Sequence, residues 1–294
     1  MALKLINNYI FTVTAGRSGQ ATLYYILQKY SQGCLSAFEA PNINTKLPGF
    51  LGTLEKRIRR NFIETNELLG RGKILTAFNE SQNDYIEKIV QKRLIKINKQ
   101  SSKIHANTYF DISKFYARGL HMGFNKILDE FSLVFLVRDP LLNMRSYLNR
   151  NKNFFLDNSI PEAKNNILRI NSKNFSKGEF YLWSWSEILL RYKRMSECRK
   201  VKKTLVIKND DLMYPNKISK ILDTLNIQHK TIGKIEKKNT NEEKGLLATK
   251  VYKEDVLIFK RFISRIPSKY INDLKYMQES LQIHKKNIEK YQND

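Results

Sequence analysis

The chain has 294 residues, of which 41% are hydrophobic and 27% are charged. This composition suits a single folded domain over residues 1–294, which no linker, low-complexity tract or repeat divides. Two cysteines are too few for a disulfide framework, the apolar runs are too short to span a bilayer, and the N-terminus lacks a signal sequence, so we expect a cytoplasmic protein.

The formal net charge of +24 has two explanations. One is an anionic partner, and the other is a general bias of the sequence toward Lys, Asn and Ile. We favour bias for most of the surplus, because the basic runs at 56–60 and 199–203 are typical of solvated faces of helices or loops. No zinc-finger spacing or RNA-recognition signature accompanies them, so nucleic acid is not the expected partner.

Short apolar runs alternate with helical patterns along the chain, which predicts an α/β fold. The predicted strands cover residues 9–14, 34–38, 104–110, 133–137 and 204–208. The predicted helices cover residues 20–30, 84–99, 113–122, 140–150, 179–199 and 216–225. Because the strands are apolar throughout, we expect a central parallel sheet flanked by helices on both faces.

Three further segments are less regular. Residues 51–69 show a helical pattern that Gly70-Arg-Gly72 closes, whereas 151–178 are rich in Asn, Lys and Ser and predict a mobile loop over a substrate cleft. From residue 256 to 291 the periodicity predicts two C-terminal helices packed on the edge of the sheet.

The first strand leads into a small-residue turn that contains a cation, Arg17-Ser18-Gly19, and then into an apolar helix. Such a turn presents backbone N–H groups and a helix N-terminus to a phosphate. The turn lacks the Gly-Lys-Ser/Thr step of nucleoside-triphosphate hydrolases, which holds phosphate and magnesium. The sequence therefore predicts an anion site of another kind here.

The fourth strand ends in Arg138, and Asp139-Pro140 then opens a helix that carries Ser146 two turns further on. Arg138 and Ser146 can both meet one anion at the mouth of this strand–helix unit. In place of the usual metal-holding carboxylate, the strand ends in a cation, which suits direct binding of a phosphate and counts against a kinase. Two anion sites on one sheet predict a ligand with two separated phosphate groups.

Together these motifs resemble the sulfotransferases that use 3′-phosphoadenosine 5′-phosphosulfate, in particular their bacterial and glycan-type branch. Arg17-Ser18-Gly19 matches the start of the family's 5′-phosphosulfate loop, and Arg138 with Ser146 matches its 3′-phosphate motif. The segment from Leu205 to Leu212, followed by Pro215 and a helix, is similar to a later strand–helix segment of the family. The likeness covers roughly residues 9–230 in the same order.

The resemblance implies a fold like that of the P-loop nucleoside triphosphatases, a donor held without metal, and adenosine 3′,5′-bisphosphate as product. By position in the motifs, it assigns donor binding to Arg17, Ser18, Gly19, Gln20, Ala21, Thr22, Arg138 and Ser146. Gln20 and Ala21 depart from the family, which usually has two hydroxyl residues there. We expect backbone N–H groups to hold the phosphosulfate, with the Gln20 amide and Thr22 compensating for the lost donors.

For catalysis, the resemblance gives Arg17 the role of following charge onto the leaving phosphate. We favour Glu39 as the general base, since related enzymes place a glutamate after the second strand, which we expect to lie beside the first. His105 is the alternative, because small-molecule sulfotransferases carry a histidine near the end of the third strand.

The expected reaction moves a sulfuryl group to a hydroxyl or amine of a carbohydrate, a lipid or a small natural product. A P-loop nucleotide kinase is the alternative among enzymes. A basic nucleic-acid-binding protein with a vestigial nucleotide pocket is the alternative outside enzymes. The sequence does not choose the acceptor or the oligomeric state.

Overall fold

The computed structural model describes residues 6–38, 47–58, 67–150, 159–235, 248 and 250–290. Five strands form one sheet: β1 (Asn8–Val13), β2 (Cys34–Ala37), β3 (Thr108–Asp111), β4 (Phe131–Val137) and β5 (Val201–Lys208). The strand order is β2-β3-β1-β4-β5, and all neighbouring strands are parallel. The predicted α/β class with a central parallel sheet is confirmed.

Ten helices accompany the sheet in the part of the chain that the structure describes. They are α1 (Gln20–Tyr30), α2 (Gly49–Ile58), α3 (Lys73–Asn79), α4 (Asn83–Lys103), α5 (Leu120–Ile127), α6 (Pro140–Leu148), α7 (Lys177–Ser196), α8 (Pro215–Thr224), α9 (Lys253–Ile263) and α10 (Lys275–Lys290). The two predicted C-terminal helices correspond to α9 and α10. None of the described helices is long and apolar enough to cross a membrane.

The three central strands of the sheet, β3, β1 and β4, are buried on both faces, whereas most residues of the edge strand β5 are exposed or half-exposed. All seven residues of β4 are buried, and its six apolar residues are divided by alternation between two hydrophobic clusters. Val134 and Leu136 pack with α1 and α8 on one face. Leu133, Phe135 and Val137 face the larger cluster, to which α4, α5, α6, α7 and α9 contribute. This double burial fixes the carboxyl ends of the strands as a rigid edge.

Some predicted boundaries are wrong. The third strand begins at Thr108 and not at residue 104, because α4 runs on to Lys103. The helix predicted at 113–122 is a short 3₁₀ turn, Tyr116–Arg118, followed by α5, which Gly119 precedes. The helix α3 was not predicted. Residues 159–176 contain no helix or strand, as expected, and the rest of the predicted loop, 151–158, lies outside the described residues.

Candidate functional site

The loop between β1 and α1 is a tight turn held by its own side chains. The backbone N–H of Gly16 donates to Thr14 Oγ1 at 3.2 Å, and Thr14 Oγ1 donates to Ser18 Oγ at 3.1 Å. Gly16, Arg17 and Gly19 have φ values of 91°, 64° and 95°, in the left-handed region. Helix α1 begins after Gly19 without a side-chain cap. Uncapped N–H groups at a helix N-terminus favour an anion, and the anion site at this turn stays a prediction.

Two side chains that were predicted to bind the donor form hydrogen bonds within the protein. Ser18 is buried, and its hydroxyl donates to the Gly16 carbonyl at 3.2 Å. Gln20 is buried too, and its amide Nε2 donates to the carbonyl of Ile112 at 2.6 Å, after β3. That bond ties α1 to the neighbouring strand end and uses one of the two N–H donors of the amide, so the role of Gln20 toward the phosphosulfate stays a prediction.

Helix α6 brings the second predicted motif against this loop. Asn143, buried in α6, donates from Nδ2 to Ser18 Oγ at 3.3 Å. Ser146 lies one turn further along the same helix, and its buried hydroxyl has no hydrogen-bond partner among the described residues. Arg138, directly before the helix, is half-buried and donates to the Ala248 carbonyl at 2.9 Å. The two motifs thus share one edge of the sheet.

The Asp139 carboxylate has a structural role. It caps α6 by accepting the N–H of Leu142 at 2.8 Å. It also accepts Ser280 Oγ at 2.6 Å and lies 3.2 Å from His284 Nε2, both on α10. Burial alone would raise the pKa of Asp139, but its hydrogen bonds to His284, Leu142 and Ser280 lower it. The carboxylate next to Arg138 therefore holds the C-terminal helix.

Sequence reasoning missed Arg118 and Tyr181. Arg118, buried in the turn after β3, lies 3.5 Å from the Ala15 carbonyl and 3.4 Å from Ser184 Oγ of α7. Tyr181 is buried in α7, and its hydroxyl donates to the Gly16 carbonyl at 3.3 Å. No motif marks either residue, since both reach the loop only through the packing of distant segments.

Three arginines act electrostatically on the buried Tyr181 hydroxyl. Burial raises its pKa, while the positive charges of Arg17, Arg118 and Arg138 each act in the opposite direction. Burial lowers the pKa of Arg138, but an arginine stays charged at any physiological pH. The three arginines follow β1, β3 and β4, which are adjacent strands. The carboxyl edge of the sheet therefore concentrates positive charge around one buried phenol.

Of the two candidate bases, His105 is the one within the described residues. Glu39 lies outside the described residues, which resume at 47. The expectation that its strand lies beside β1 is wrong, because β3 separates β2 from β1. His105 is exposed in the turn between α4 and β3, with φ 50°, and not at the end of the third strand. Because β1 and β3 are parallel, His105 lies at the amino edge of the sheet, opposite the Arg17 loop.

The described ranges contain no group of three or more His, Cys, Asp or Glu residues that could hold a metal ion. No protein-family model and no curated protein matches the sequence. Among solved structures, the sulfotransferase domain of the olefin synthase of Synechococcus PCC 7002 is similar, with a TM-score of 0.46 and 13% sequence identity. The match covers 89% of this chain and 96% of that domain.

Proposed function

We propose that this chain is a sulfotransferase that moves a sulfuryl group from 3′-phosphoadenosine 5′-phosphosulfate to a hydroxyl or amine acceptor. The observation that carries the proposal is that Arg118, Tyr181 and Asn143 of α6 all contact the turn that holds Arg17, at the carboxyl edge where Arg138 follows the adjacent strand β4. A donor with phosphate groups at both ends of its ribose needs two anion sites on one edge, and our candidates are the turn at 14–19 and the pair of Arg138 and Ser146.

The division of the two sites follows from the elements that form them. The turn at 14–19 and the N-terminus of α1 suit the 5′-phosphosulfate, because uncapped N–H groups and the helix dipole favour negative charge. Arg138 and the unpartnered hydroxyl of Ser146 suit the 3′-phosphate, since one supplies a cation and the other a hydroxyl donor. A nucleotide kinase is the less favoured function, because the Asp139 carboxylate already accepts hydrogen bonds from α6 and α10.

The chemistry needs little covalent work from the protein. The acceptor oxygen or nitrogen forms a bond to sulfur while the bond from sulfur to the 5′-phosphate oxygen breaks. The acceptor proton passes to a general base, and adenosine 3′,5′-bisphosphate leaves with the bonding electron pair. Arg17, in the turn that faces the 5′ end, stabilises the charge that develops on the leaving phosphate.

A ligand panel tests the donor assignment. We expect adenosine 3′,5′-bisphosphate to bind in the presence of EDTA, with higher affinity than 5′-AMP and than ATP with magnesium, as measured by isothermal titration calorimetry. Equal affinity for 5′-AMP would remove the 3′-phosphate site. A preference for ATP with magnesium would replace the proposal with a nucleotide kinase. Radiolabelled sulfuryl transfer to a panel of sugars, lipids and phenols then identifies the acceptor.

Glu39 remains our proposal for the base, on the resemblance alone. Glu39→Gln keeps the size of the side chain but removes its basicity, so single-turnover transfer is expected to fall by about 10²–10⁴-fold with donor affinity unchanged. His105→Ala serves as the control, because the exposed His105 lies at the opposite edge of the sheet. Normal transfer by Glu39→Gln would eliminate Glu39 as the base.

A further inference from the structure

A second concave surface lies away from the arginine cluster. It is a groove of about 610 Å³ between α5, the segment at 164–169 and the last two turns of α7, and we call it the α5–α7 groove. Its volume falls within the range of about 300–1,000 Å³ that is usual for small-molecule sites. Nothing in the proposed transfer reaction uses it.

The charged residues that line this groove are all positive. Four of its lining residues are Lys or Arg, and none of the described lining residues is Asp or Glu. Arg191 is buried and already bonded to Glu187 and to the Asn166 carbonyl oxygen Oδ1. Lys164, Arg169 and Arg194 are exposed and form no ion pair with any described residue. Because they come from a loop and from α7, they can contact more than one anionic group.

A buried histidine lines the same groove without a complete set of partners. His121 is 7% exposed, and its ring nitrogen Nδ1 has no hydrogen-bond partner among the described residues. Burial and the nearby charge of Arg191 lower its pKa to about 3, so the ring is neutral. Buried polar atoms are normally hydrogen-bonded, so Nδ1 calls for a partner, which a ligand in the groove can supply. A hydroxyl suits either tautomer of the ring, because it can both donate and accept.

Two further side chains match a hydroxyl-rich ligand. Asn125 lines the groove with an amide Nδ2 that donates to no described residue, while its Oδ1 accepts the Tyr116 hydroxyl at 3.4 Å. Tyr270 presents a ring that is fixed by its 2.8 Å hydrogen bond to the Ile167 carbonyl. An aromatic face beside amides and cations offers an apolar surface for a sugar ring, together with donors for its hydroxyl and acidic groups.

We propose that the α5–α7 groove binds an acidic carbohydrate, whose carboxylate or sulfate groups contact Lys164, Arg169 and Arg194 and whose hydroxyl satisfies His121. The proposal does not depend on the donor site, since it rests on residues of another surface. A single-stranded nucleic acid is the competing polyanion. That ligand calls for a series of stacking aromatics along a basic track, whereas Tyr270 is the one exposed or half-exposed aromatic among the described lining residues.

The test is calorimetric titration of the full chain with three probes at low salt. A heparin tetrasaccharide is the acidic carbohydrate, maltotetraose the neutral one, and a short oligothymidylate the nucleic acid. We compare wild type with the double variant Lys164→Ala/Arg194→Ala. The matched control is Lys220→Ala/Lys230→Ala, which removes two exposed cations, on α8 and just beyond it, near the other face of the sheet.

We expect the heparin tetrasaccharide to bind roughly tenfold more weakly to the groove variant and nearly unchanged to the control variant. His121→Phe, which keeps an aromatic ring but removes the nitrogens, should also weaken binding of the heparin tetrasaccharide, and maltotetraose should bind weakly to every variant. Equal losses in both charge variants would show attraction to the net charge alone and overturn the proposal. Tighter binding of oligothymidylate, lost in the groove variant, would replace the carbohydrate with a nucleic acid.

Discussion

Arg138 joins the end of β4 to a distant part of the chain through its 2.9 Å hydrogen bond to the Ala248 carbonyl. Its remaining donors can bind a phosphate, and its partial burial strengthens that contact by keeping water away. We predict that Arg138→Ala weakens binding of adenosine 3′,5′-bisphosphate by about 1.5–3 kcal/mol, as measured by calorimetry. Affinity for 5′-AMP should change little, because that ligand lacks the 3′-phosphate.

The control for this substitution is Arg199→Ala, which removes the same charge from an exposed position before β5, at the opposite edge of the sheet. It should leave the affinity for the bisphosphate within a factor of about two, since charges beyond a Debye length are screened. Wild-type affinity in a folded Arg138→Ala protein would instead show that the 3′-phosphate binds elsewhere.

Individual residues were predictable where a local pattern marks them. Arg17 and Arg138 each follow an apolar strand, and both lie at the carboxyl edge as predicted. Arg118 and Tyr181 could not be predicted, because Tyr181 is 165 residues from the Gly16 carbonyl that it contacts. The sequence pattern placed His105 inside the third strand, because the apolar Ile104 next to it extended that pattern back to the end of α4.

At the scale of elements, the junction of β1 with α1 depends on a glycine. Gly19 has φ 95°, and a Cβ there would lie 2.5 Å from Asn209 Oδ1 and 2.8 Å from Leu212 Cδ1. We predict that Gly19→Ala destabilises the fold by about 1–3 kcal/mol, through backbone strain and overpacking. It should also weaken bisphosphate binding, because the turn that presents the N–H groups must shift. Urea unfolding and calorimetry measure the two effects.

Gly233→Ala is the matched control. The only described atom near its added Cβ is the Tyr30 hydroxyl oxygen, at 3.8 Å, which is an ordinary contact. We expect stability and affinity close to those of the wild type. If Gly19→Ala bound the bisphosphate normally, the turn at 14–19 would not be part of the anion site.

The Asp139 carboxylate links two elements that are far apart in sequence, since it caps α6 and accepts Ser280 of α10. Its pKa is lowered in the folded protein, whereas an unfolded aspartate has a pKa of about 3.9. The charged form therefore stabilises the fold fully above the unfolded pKa, and this contribution is lost as the pH falls through the lower folded value.

We predict that Asp139→Asn is less stable than wild type by about 1–2 kcal/mol at neutral pH, because asparagine caps the helix but loses the charged acceptor. The difference should shrink as the pH falls below about 4. Urea unfolding of both proteins at several pH values measures it. The control, Glu197→Gln, alters an exposed carboxylate without a side-chain hydrogen bond to any described residue. A difference that is independent of pH would refute the charge-based explanation.

The order of the strands depends on how the whole chain packs, so it could not be predicted from local sequence patterns. Each strand was recognisable by its apolar run, but placing β3 between β1 and β2 depends on how α4 crosses the sheet. The face of each β4 residue was foreseeable, since consecutive residues alternate between the two clusters. The prediction that β2, the strand before Glu39, lies beside β1 failed because local patterns do not give the order of the strands.

The net charge of +24 acts on the whole molecule in two opposite ways. Repulsion among like charges destabilises the compact state, whereas the same positive field attracts an anionic ligand. Salt screens both, with a Debye length of about 10 Å at 0.1 M. Stability and ligand affinity should therefore respond to salt with opposite signs.

We predict that raising sodium chloride from about 20 to 300 mM increases the melting temperature of the free protein by a few degrees. Over the same range the affinity for adenosine 3′,5′-bisphosphate should fall roughly tenfold, because charged contacts hold both phosphates. Thermal melts and calorimetry on one preparation test both trends. A melting temperature that falls with salt would mean that ion pairs such as Arg145–Asp255 and Arg93–Asp111 outweigh the repulsion. An affinity that does not change with salt concentration would mean that Arg17, Arg118 and Arg138 do not contact the ligand.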